Sequence, residues 1–304
     1  MKTLYYIFLS MRPKQWIKNL SLFVAIFFAG NLLLDFKLFP VIKGFLIFCL
    51  LSGAIYILND YKDRKKDQLH PGKKDRPMAS GNLNPRVALV AYFIISVVSL
   101  TLAYLLSEYF FIISLLYFIT LTAYSLYFRN VIILDGMIVA IGFVLRVWAG
   151  AFVAAEPISA WLIICTIATA LLISFGRRRC ELTILKTNAS EHRHTLSLYP
   201  EKFLDVIITA ATSFTLISYA MFTFFNSNVS LPSMFSHYLP EYWINLKWLM
   251  MTIPVVIYGV FRYLYLIYEK DTAASPEQAI YTDLPLFLSL SLWLSMLFVI
   301  IYML

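Results

Sequence analysis

The stretch Leu38–Gly81 decides the fold of this chain. Its first part, Leu38–Leu58, reads LFPVIKGFLIFCLLSGAIYIL, and its second part, Asn59–Gly81, reads NDYKDRKKDQLHPGKKDRPMASG. About 20 apolar residues are enough for an α-helix to cross the hydrocarbon core of a membrane, so the first part predicts a transmembrane helix. The second part holds four acids, seven bases and a histidine, although only 14% of the chain is charged. We therefore expect a membrane-crossing helix that carries a charged functional segment.

Four oxygen-bearing side chains of the charged segment fall on one face of a helix, within about 100° of arc. They are Asn59, Asp60, Asp63 and Asp67. Carboxylate and amide oxygens suit a hard divalent cation such as Mg²⁺, which keeps positions open for substrate phosphates. The donors that follow, His70, Lys73 and Arg76, suit phosphate oxygens. The segment predicts a magnesium–diphosphate site at a membrane surface, and the alternative interpretation is a solvated, charged helix end.

The composition predicts an all-α, polytopic membrane protein. Of the 304 residues, 61% are hydrophobic, and the mean hydropathy is +0.76. Soluble domains contain about 45–50% apolar residues. The three cysteines show neither paired nor metal-type spacing, so we predict no disulfide framework. The net charge of +8 lies in loops between apolar stretches, where membrane topology explains it, so we predict no nucleic-acid partner.

Nine apolar stretches predict about nine transmembrane helices within a single membrane-embedded domain, residues 1–304. The stretches are 19–35, 38–58, 86–106, 109–128, 131–154, 158–175, 203–225, 246–268 and 284–303. Very short links between the first and second, third and fourth, and fifth and sixth stretches predict tight helical hairpins. Residues 1–18 are basic and aromatic, which is typical of an interfacial segment.

The distribution of Lys and Arg predicts the orientation. With the N-terminus inside, 21 bases fall on the cytoplasmic side and three on the opposite side. Cytoplasmic loops carry an excess of Lys and Arg, so we predict a cytoplasmic N-terminus and an external C-terminus in a plasma (inner) membrane. Segments 59–85, 176–202 and 269–283 then become cytoplasmic loops, which we expect to cap an active site on that side.

The fifth apolar stretch contains two ionisable residues, Asp135 and Arg146. Such residues inside a span are costly and are functional candidates. They lie three helical turns apart, about 16 Å along the axis, so they share a face but do not pair with each other. Each needs another partner, which for Arg146 is either an ion pair with another helix or a substrate phosphate.

The charged segment resembles a known family. The pattern Asn-Asp-x-x-Asp-x-x-x-Asp at Asn59–Asp67 is similar to the first acidic motif of UbiA-type intramembrane prenyltransferases. The continuation His70–Gly81 and the opening block Arg12–Asn19 (RPKQWIKN) resemble, more narrowly, the decaprenyl-phosphate phosphoribosyltransferase branch. A Tyr-rich turn at Tyr124, followed by Leu-Asp and by GFVLR ending at Arg146, resembles the second motif of that branch.

The resemblance implies a UbiA-like helical bundle and a Mg²⁺-dependent membrane transferase. The donor would be 5-phosphoribosyl 1-diphosphate and the acceptor a polyprenyl phosphate in the lipid, for cell-envelope polysaccharide synthesis. A homo-oligomer is compatible with it. It implies catalytic roles for Asp63, Asp67 and Asp135, and metal ligands at Asn59, Asp60, Asp63 and Asp67. Substrate-binding roles are implied for Arg12, Lys14, Gln15, Lys18, His70, Lys73, Arg76, Tyr124, Arg146 and Arg178.

One departure bears on the alternative function, transfer of a prenyl group from a prenyl diphosphate to an aromatic or other small acceptor. Aromatic prenyltransferases of the superfamily usually have Asp-x-x-x-Asp at the second site, and the position four after Asp135 is Val139. This departure favours the phosphoribosyl branch. A transporter or scaffold is the non-enzymatic interpretation, and it would release no diphosphate from either donor.

Overall fold

The computed structural model describes residues 2–69, 72–185, 199–226, 247–269, 279–280 and 282–303. Within these ranges the chain is helical and contains no strand, and eight helices are long and apolar enough to cross a membrane. The prediction of an all-α, multi-pass membrane protein is confirmed. The helices form two compact units, Met1–Ile158 and Ser159–Leu304.

The described part of the first unit contains six α-helices and two 3-10 helices. They are α1 (Lys2–Ser10), a long 3-10 helix (Pro13–Phe23), α2 (Val24–Phe28), α3 (Asp35–Leu69), α4 (Pro85–Leu106), α5 (Glu108–Leu126), a short 3-10 turn (Phe128–Asn130) and α6 (Leu134–Ala154). Aromatic residues form the core between α3 and α5, where the ring of Phe48 lies 5.6 Å from that of Phe110 and 5.0 Å from that of Tyr117. This packing places one face of α3 against α5.

The charged segment continues the transmembrane helix, as the spacing of its acids predicted. Helix α3 runs without interruption from Asp35 through Leu69, so residues 59–69 are helical and not part of a loop. Asp60 and Asp67 are buried on the face of α3 that also carries Ser52. The acidic motif is therefore held on a rigid element.

The first predicted span, 19–35, departs from expectation because it is not a long α-helix. Its residues form the end of the long 3-10 helix and the short α2. A 3-10 helix rises about 2.0 Å per residue, so the 16 residues from Pro13 to Phe28 extend about 30 Å, the thickness of a hydrocarbon core. Arg12 contacts Asp60 near one end of α3, and Asn31 and Lys37 both contact Glu156 at the other. We call residues 13–28 the N-terminal crossing segment, since they run along the apolar length of α3.

A glycine on α6 explains how this segment packs so closely. A Cβ at Gly150 would lie 1.8 Å from the carbonyl oxygen of Leu22, closer than any two such atoms can approach. Only glycine lets the two backbones meet at this point. Backbone contact between the N-terminal crossing segment and α6 follows directly.

In its described residues, the second unit contains four long helices. They are α7 (Ala160–Leu185), α8 (Glu201–Phe225), α9 (Ile253–Glu269, preceded by a 3-10 turn Trp248–Thr252) and α10 (Leu284–Phe298, followed by a π-helical turn Val299–Met303). The predicted loop 176–202 begins as helix, because α7 continues to Leu185. Glu181 accepts hydrogen bonds from Arg177 and Arg178 one turn earlier, and such pairs support a charged helix end.

Reporter fusions test the orientation. We expect a reporter fused after Leu304 to behave as extracytoplasmic and one fused near Thr187 as cytoplasmic, because 21 of the 24 loop bases then face inside. Residue 187 lies outside the described ranges, so the prediction rests on charge and on an odd number of crossings. These crossings are the eight long helices and the N-terminal crossing segment. Paired alkaline phosphatase and fluorescent-protein fusions give the measurement. Both reporters active on the same side would contradict this topology.

Candidate active site

Two buried carboxylates of the acidic motif share one arginine. Arg76 Nη1 lies 2.7 Å from Asp67 Oδ2 and 3.2 Å from Asp60 Oδ1, and Arg12 also donates to Asp60. Asp60 is only 2% exposed and Asp67 only 4%. Ionised carboxylates so buried need close positive charge. Asp60 and Asp67 therefore form one anionic site whose charge is balanced by two guanidinium groups.

Arg12 reaches Asp60 from a strained backbone position. Its φ of 52° and ψ of 68° place it in the left-handed region, at the residue that joins α1 to the long 3-10 helix. Its guanidinium carbon lies 5.1 Å from the centroid of the Tyr56 ring, one turn below Asp60 on α3. A non-glycine residue in this region costs about 1–3 kcal/mol and is found preferentially at functional sites. The turn therefore fixes where the guanidinium of Arg12 lies.

Asp63 does not join the other two acids. It pairs with Arg129, in the short 3-10 turn between α5 and α6. The neighbouring Lys62 donates to the carbonyl oxygens of Ser125 and Leu126 at the C-terminal end of α5. These contacts attach the charged end of α3 to the connection that leads into α6.

That connection ends in a strained turn directly before Asp135. Ile133 has φ 70° and ψ −50°, and the N–H of Leu134 donates to the carbonyl of Ile132 over 2.8 Å, which is a γ-turn with positive φ. Such turns are rare, and a β-branched residue makes them more costly. Asp135 follows as the second residue of α6 and is buried. The γ-turn sets the direction in which α6 leaves the connection.

A polar cluster lies deeper in the first unit. Arg146 donates from Nε to Asn19 Oδ1 over 3.0 Å and from Nη2 to the hydroxyl of Tyr117 over 2.6 Å. Asn19 in turn donates to Ser52 Oγ over 3.2 Å, and Ser52 donates to the carbonyl of Phe48. In this series of hydrogen bonds, Arg146 donates to Asn19, Asn19 donates to Ser52, and Ser52 donates to the backbone. Together with the bond to Tyr117, the series holds the guanidinium of Arg146 in one orientation.

The remaining predicted residues are distributed as follows. Lys14 is exposed on the long 3-10 helix, whereas Gln15 and Lys18 on the same helix are partly buried, as are Asn59, Lys73 and Tyr124. Arg178 belongs to the second unit, where it is buried and pairs with Glu181. His70 lies outside the described residues. The structure thus brings together Arg12, Asp60, Asp67 and Arg76, and separately Asp63 with Arg129.

Four side chains at these contacts were not predicted, namely Asn19, Lys62, Tyr117 and Arg129. A signal for one of them was available: Asn19 is a polar residue near the start of an apolar stretch, and the buried Arg146 needed a partner from another helix. Lys62, Tyr117 and Arg129 resemble many other residues in membrane proteins, so only the fold reveals their contacts.

Comparison with known proteins decides the family. Residues 19–291 match the UbiA prenyltransferase family, which is most of the chain. The chain belongs to the UbiA prenyltransferase family. This UbiA family member is 28% identical over 219 residues to decaprenyl-phosphate phosphoribosyltransferase of Mycolicibacterium smegmatis, covering 71% of the chain and 69% of the relative. It is 26% identical to the enzyme of that name from Mycobacterium tuberculosis strain H37Rv, covering 71% and 72%.

Solved structures agree with the UbiA fold. A UbiA homolog from Archaeoglobus fulgidus, bound to GPP and Mg²⁺, superposes with a TM-score of 0.69 at 18% identity, covering 97% of this chain and 99% of that one. A digeranylgeranylglyceryl phosphate synthase superposes over the whole of both chains with a TM-score of 0.66 at 15% identity. This UbiA family member is therefore an integral membrane protein with the UbiA fold.

The acidic motif of this UbiA family member fits a divalent cation in composition and partly in geometry. Within the described ranges, no three His, Cys, Asp or Glu side chains converge as a metal-binding group. Asp60 and Asp67, however, converge on a single cationic atom, Arg76 Nη1. Mg²⁺ is commonly held by one or two carboxylates together with substrate phosphates. Two buried carboxylates that already share one positive centre fit that mode of binding.

Proposed function

We propose that this protein transfers 5-phosphoribose from 5-phosphoribosyl 1-diphosphate to a polyprenyl phosphate, releasing diphosphate. The observation that carries the proposal is the mixed site in which Arg12 and Arg76 contact the buried carboxylates of Asp60 and Asp67. Carboxylates suit the metal of a metal–diphosphate, and arginines suit its phosphate oxygens. The names of the mycobacterial relatives and Val139 in place of a second carboxylate support phosphoribose over a prenyl group as the transferred unit.

The chemistry requires stabilisation of charge more than it requires a base. An oxygen of the lipid phosphate forms a bond to C1 of the ribose, and the bond from C1 to the diphosphate oxygen breaks with its electron pair leaving on diphosphate. A phosphate monoester has its second pKa at about 6, so at neutral pH most of the acceptor is already the dianionic nucleophile. The reaction then needs screening between two anions and support of the leaving group.

Residues of the first unit supply these roles. Mg²⁺ held by Asp60 and Asp67 would neutralise charge that grows on the departing diphosphate. Arg12 and Arg76 would donate hydrogen bonds to the phosphate oxygens of the donor, because their guanidinium groups lie beside the two acids. Asp63 fixes the position of Arg129.

The other sequence-predicted residues complete the proposal. Lys14, Lys18, Lys73 and His70 contribute further phosphate contacts, with His70 acting as a hydrogen-bond donor and not as a general base. Asp135 faces the donor from α6. From the distribution of Lys and Arg, we propose that the active site lies at the cytoplasmic face of a plasma membrane.

A donor assay tests this function against prenyl transfer. Purified full-length protein in lipid nanodiscs, with Mg²⁺ and polyprenyl phosphate, should move label from labelled 5-phosphoribosyl 1-diphosphate into the lipid fraction. Labelled geranyl diphosphate offered with an aromatic acceptor such as 4-hydroxybenzoate should give no product. Transfer of the geranyl group without transfer of phosphoribose would overturn the proposal and establish the alternative.

A further inference from the structure

The guanidinium of Arg146 is a buried cation whose described partners are all neutral. Arg146 is 5% exposed, and its hydrogen bonds go to the amide of Asn19 and the hydroxyl of Tyr117. Two aromatic rings flank it, with centroids 4.9 Å (Tyr117) and 5.2 Å (Phe143) from the guanidinium carbon. Among the residues that the structure describes, no carboxylate pairs with it. An ion pair with another helix, one of the two alternatives for Arg146, is therefore not found among the described residues.

Donors in this cluster remain available for a ligand. Arg146 donates to described residues from Nε and from Nη2, and its Nη1 makes no hydrogen bond to any of them. The hydroxyl of Tyr117 accepts from Arg146, so its own proton is left to donate, and it makes no other hydrogen bond to a described residue. Buried donors and an uncompensated charge are costly in a membrane bundle. An anion with several acceptor oxygens would accept hydrogen bonds from these donors and would also balance the charge of Arg146.

The free edge of the guanidinium lies on the side of Arg146 that is closer to Asp135 along α6. Arg146 Nη1 lies 3.9 Å from the place where a Cβ on Gly142 would stand, and Gly142 is one turn closer to Asp135 along α6. Seven residues, about 10 Å, separate Gly142 from Asp135 on that helix. On α3, eight residues, about 12 Å, separate Ser52 beside Asn19 from Asp60. Through Asn19 and Ser52, the Arg146 cluster therefore lies about 12 Å along α3 from Asp60, the nearer of the two buried acids.

We propose that Arg146 Nη1 and the Tyr117 hydroxyl form a subsite for a phosphate monoester, and that it takes the 5-phosphate of the sugar donor. Asn19 positions Arg146 and is itself held by Ser52. The inference rests on the proposed function for the identity of the donor. A ribose with a diphosphate on C1 and a phosphate on C5 has two anionic ends, one for Asp60, Asp67 and their metal, and one for Arg146. The lipid acceptor also carries a phosphate monoester, so it is the other ligand that could occupy this subsite.

This subsite selects against prenyl donors. A prenyl diphosphate presents a hydrocarbon chain beyond its diphosphate, and hydrocarbon beside Arg146 would leave the charge and its free donors uncompensated. A site built to bind a polar group discriminates strongly against analogues that lack it, by factors of about 10⁴. The same cluster would thereby determine which of the two donor classes the protein accepts.

Direct binding of substrate fragments tests the subsite separately from turnover. Titration calorimetry with purified full-length protein and Mg²⁺ should show that Arg146→Gln weakens binding of ribose 5-phosphate at least about tenfold, because a charge-assisted hydrogen bond is lost. Tyr117→Phe keeps the ring and should weaken the same ligand by a smaller factor of about three to ten. Binding of inorganic diphosphate should stay within about twofold in both variants. Arg86→Gln, at an exposed arginine, is the matched control and should change neither affinity.

The outcomes separate the two proposals. Unchanged ribose 5-phosphate affinity in Arg146→Gln, or in Tyr117→Phe if the first variant does not fold, would overturn the subsite. Failure of the wild type to bind ribose 5-phosphate would do the same. If both variants lose affinity for farnesyl phosphate while keeping it for ribose 5-phosphate, the subsite belongs to the acceptor, and the donor assignment is wrong. Prenyl transfer by the wild type in the donor assay would refute the proposed function while leaving these fragment affinities measurable.

Discussion

Replacing Asp67 with asparagine should lower kcat for transfer by about a thousandfold. Asp67 is buried and shares Arg76 with Asp60, so it supplies half of the negative charge at the point where we place the metal of the metal–diphosphate. A metal ion stabilises transition-state charge by several kcal/mol, and each 1.36 kcal/mol changes the rate about tenfold. Asparagine keeps the shape and an acceptor oxygen but removes the charge. Initial rates at saturating donor give the measurement.

The matched control lies eight residues further on. Asp75 is an exposed acid in the same charged segment, so Asp75→Asn should retain wild-type kcat within about twofold. Asp67→Asn should keep its elution volume in size-exclusion chromatography, since Arg76 retains Asp60 as a partner. Activity of Asp67→Asn within tenfold of the wild type would mean that the acids are only a charged helix surface.

Chelation with EDTA should reduce transfer to about one per cent or less, and Mg²⁺ should restore it. The leaving diphosphate loses the charge neutralisation that a metal supplies, and this is a loss of several kcal/mol in the transition state. The thermal midpoint of unfolding should change little. Arg12 and Arg76 already neutralise Asp60 and Asp67 without a metal, so removing the metal leaves no uncompensated buried carboxylate.

The pair of readouts distinguishes a substrate-bound metal from a structural one. Rates and unfolding midpoints are measured on one preparation, with and without chelator, and Ca²⁺ is compared with Mg²⁺ in the rescue. Full activity in EDTA would exclude the metal–diphosphate mechanism. A large fall in the unfolding midpoint would show that a metal holds the fold together, contrary to the arginine contacts described above.

Most of the fold could be predicted from hydropathy and charge, because crossing a membrane restricts local structure so strongly. Eight of the nine apolar stretches are long helices, and the four-residue spacing of the acids correctly predicted that α3 continues into the charged segment. The exception is the N-terminal crossing segment. Its Leu22 lies against Gly150, 128 positions later in the chain, and no local pattern contains that contact.

The candidate site was predictable in residue types but not in pairings. Arg12, Arg76, Asp60 and Asp67 were all expected to be functional, yet nothing in the sequence says that Arg12 contacts an acid 48 positions away. Asp63 was expected beside Asp60 and Asp67, and it contacts Arg129 instead, because the α5–α6 connection passes the end of α3. Helical spacing gives the face of one helix, whereas the partner on a neighbouring helix depends on tertiary packing.

The N-terminal crossing segment also bears on how the chain is assembled during synthesis. It precedes α3 and α6 in the chain, but Asn19 forms hydrogen bonds with Ser52, 33 residues later, and with Arg146, 127 residues later. At about 5–20 residues per second, Arg146 follows Asn19 out of the ribosome by roughly 6 to 25 s. The segment lacks the continuous α-helix that satisfies its own backbone in lipid. Its native packing is therefore complete only after α6 has been inserted, although the segment precedes α3, α4 and α5 in the chain.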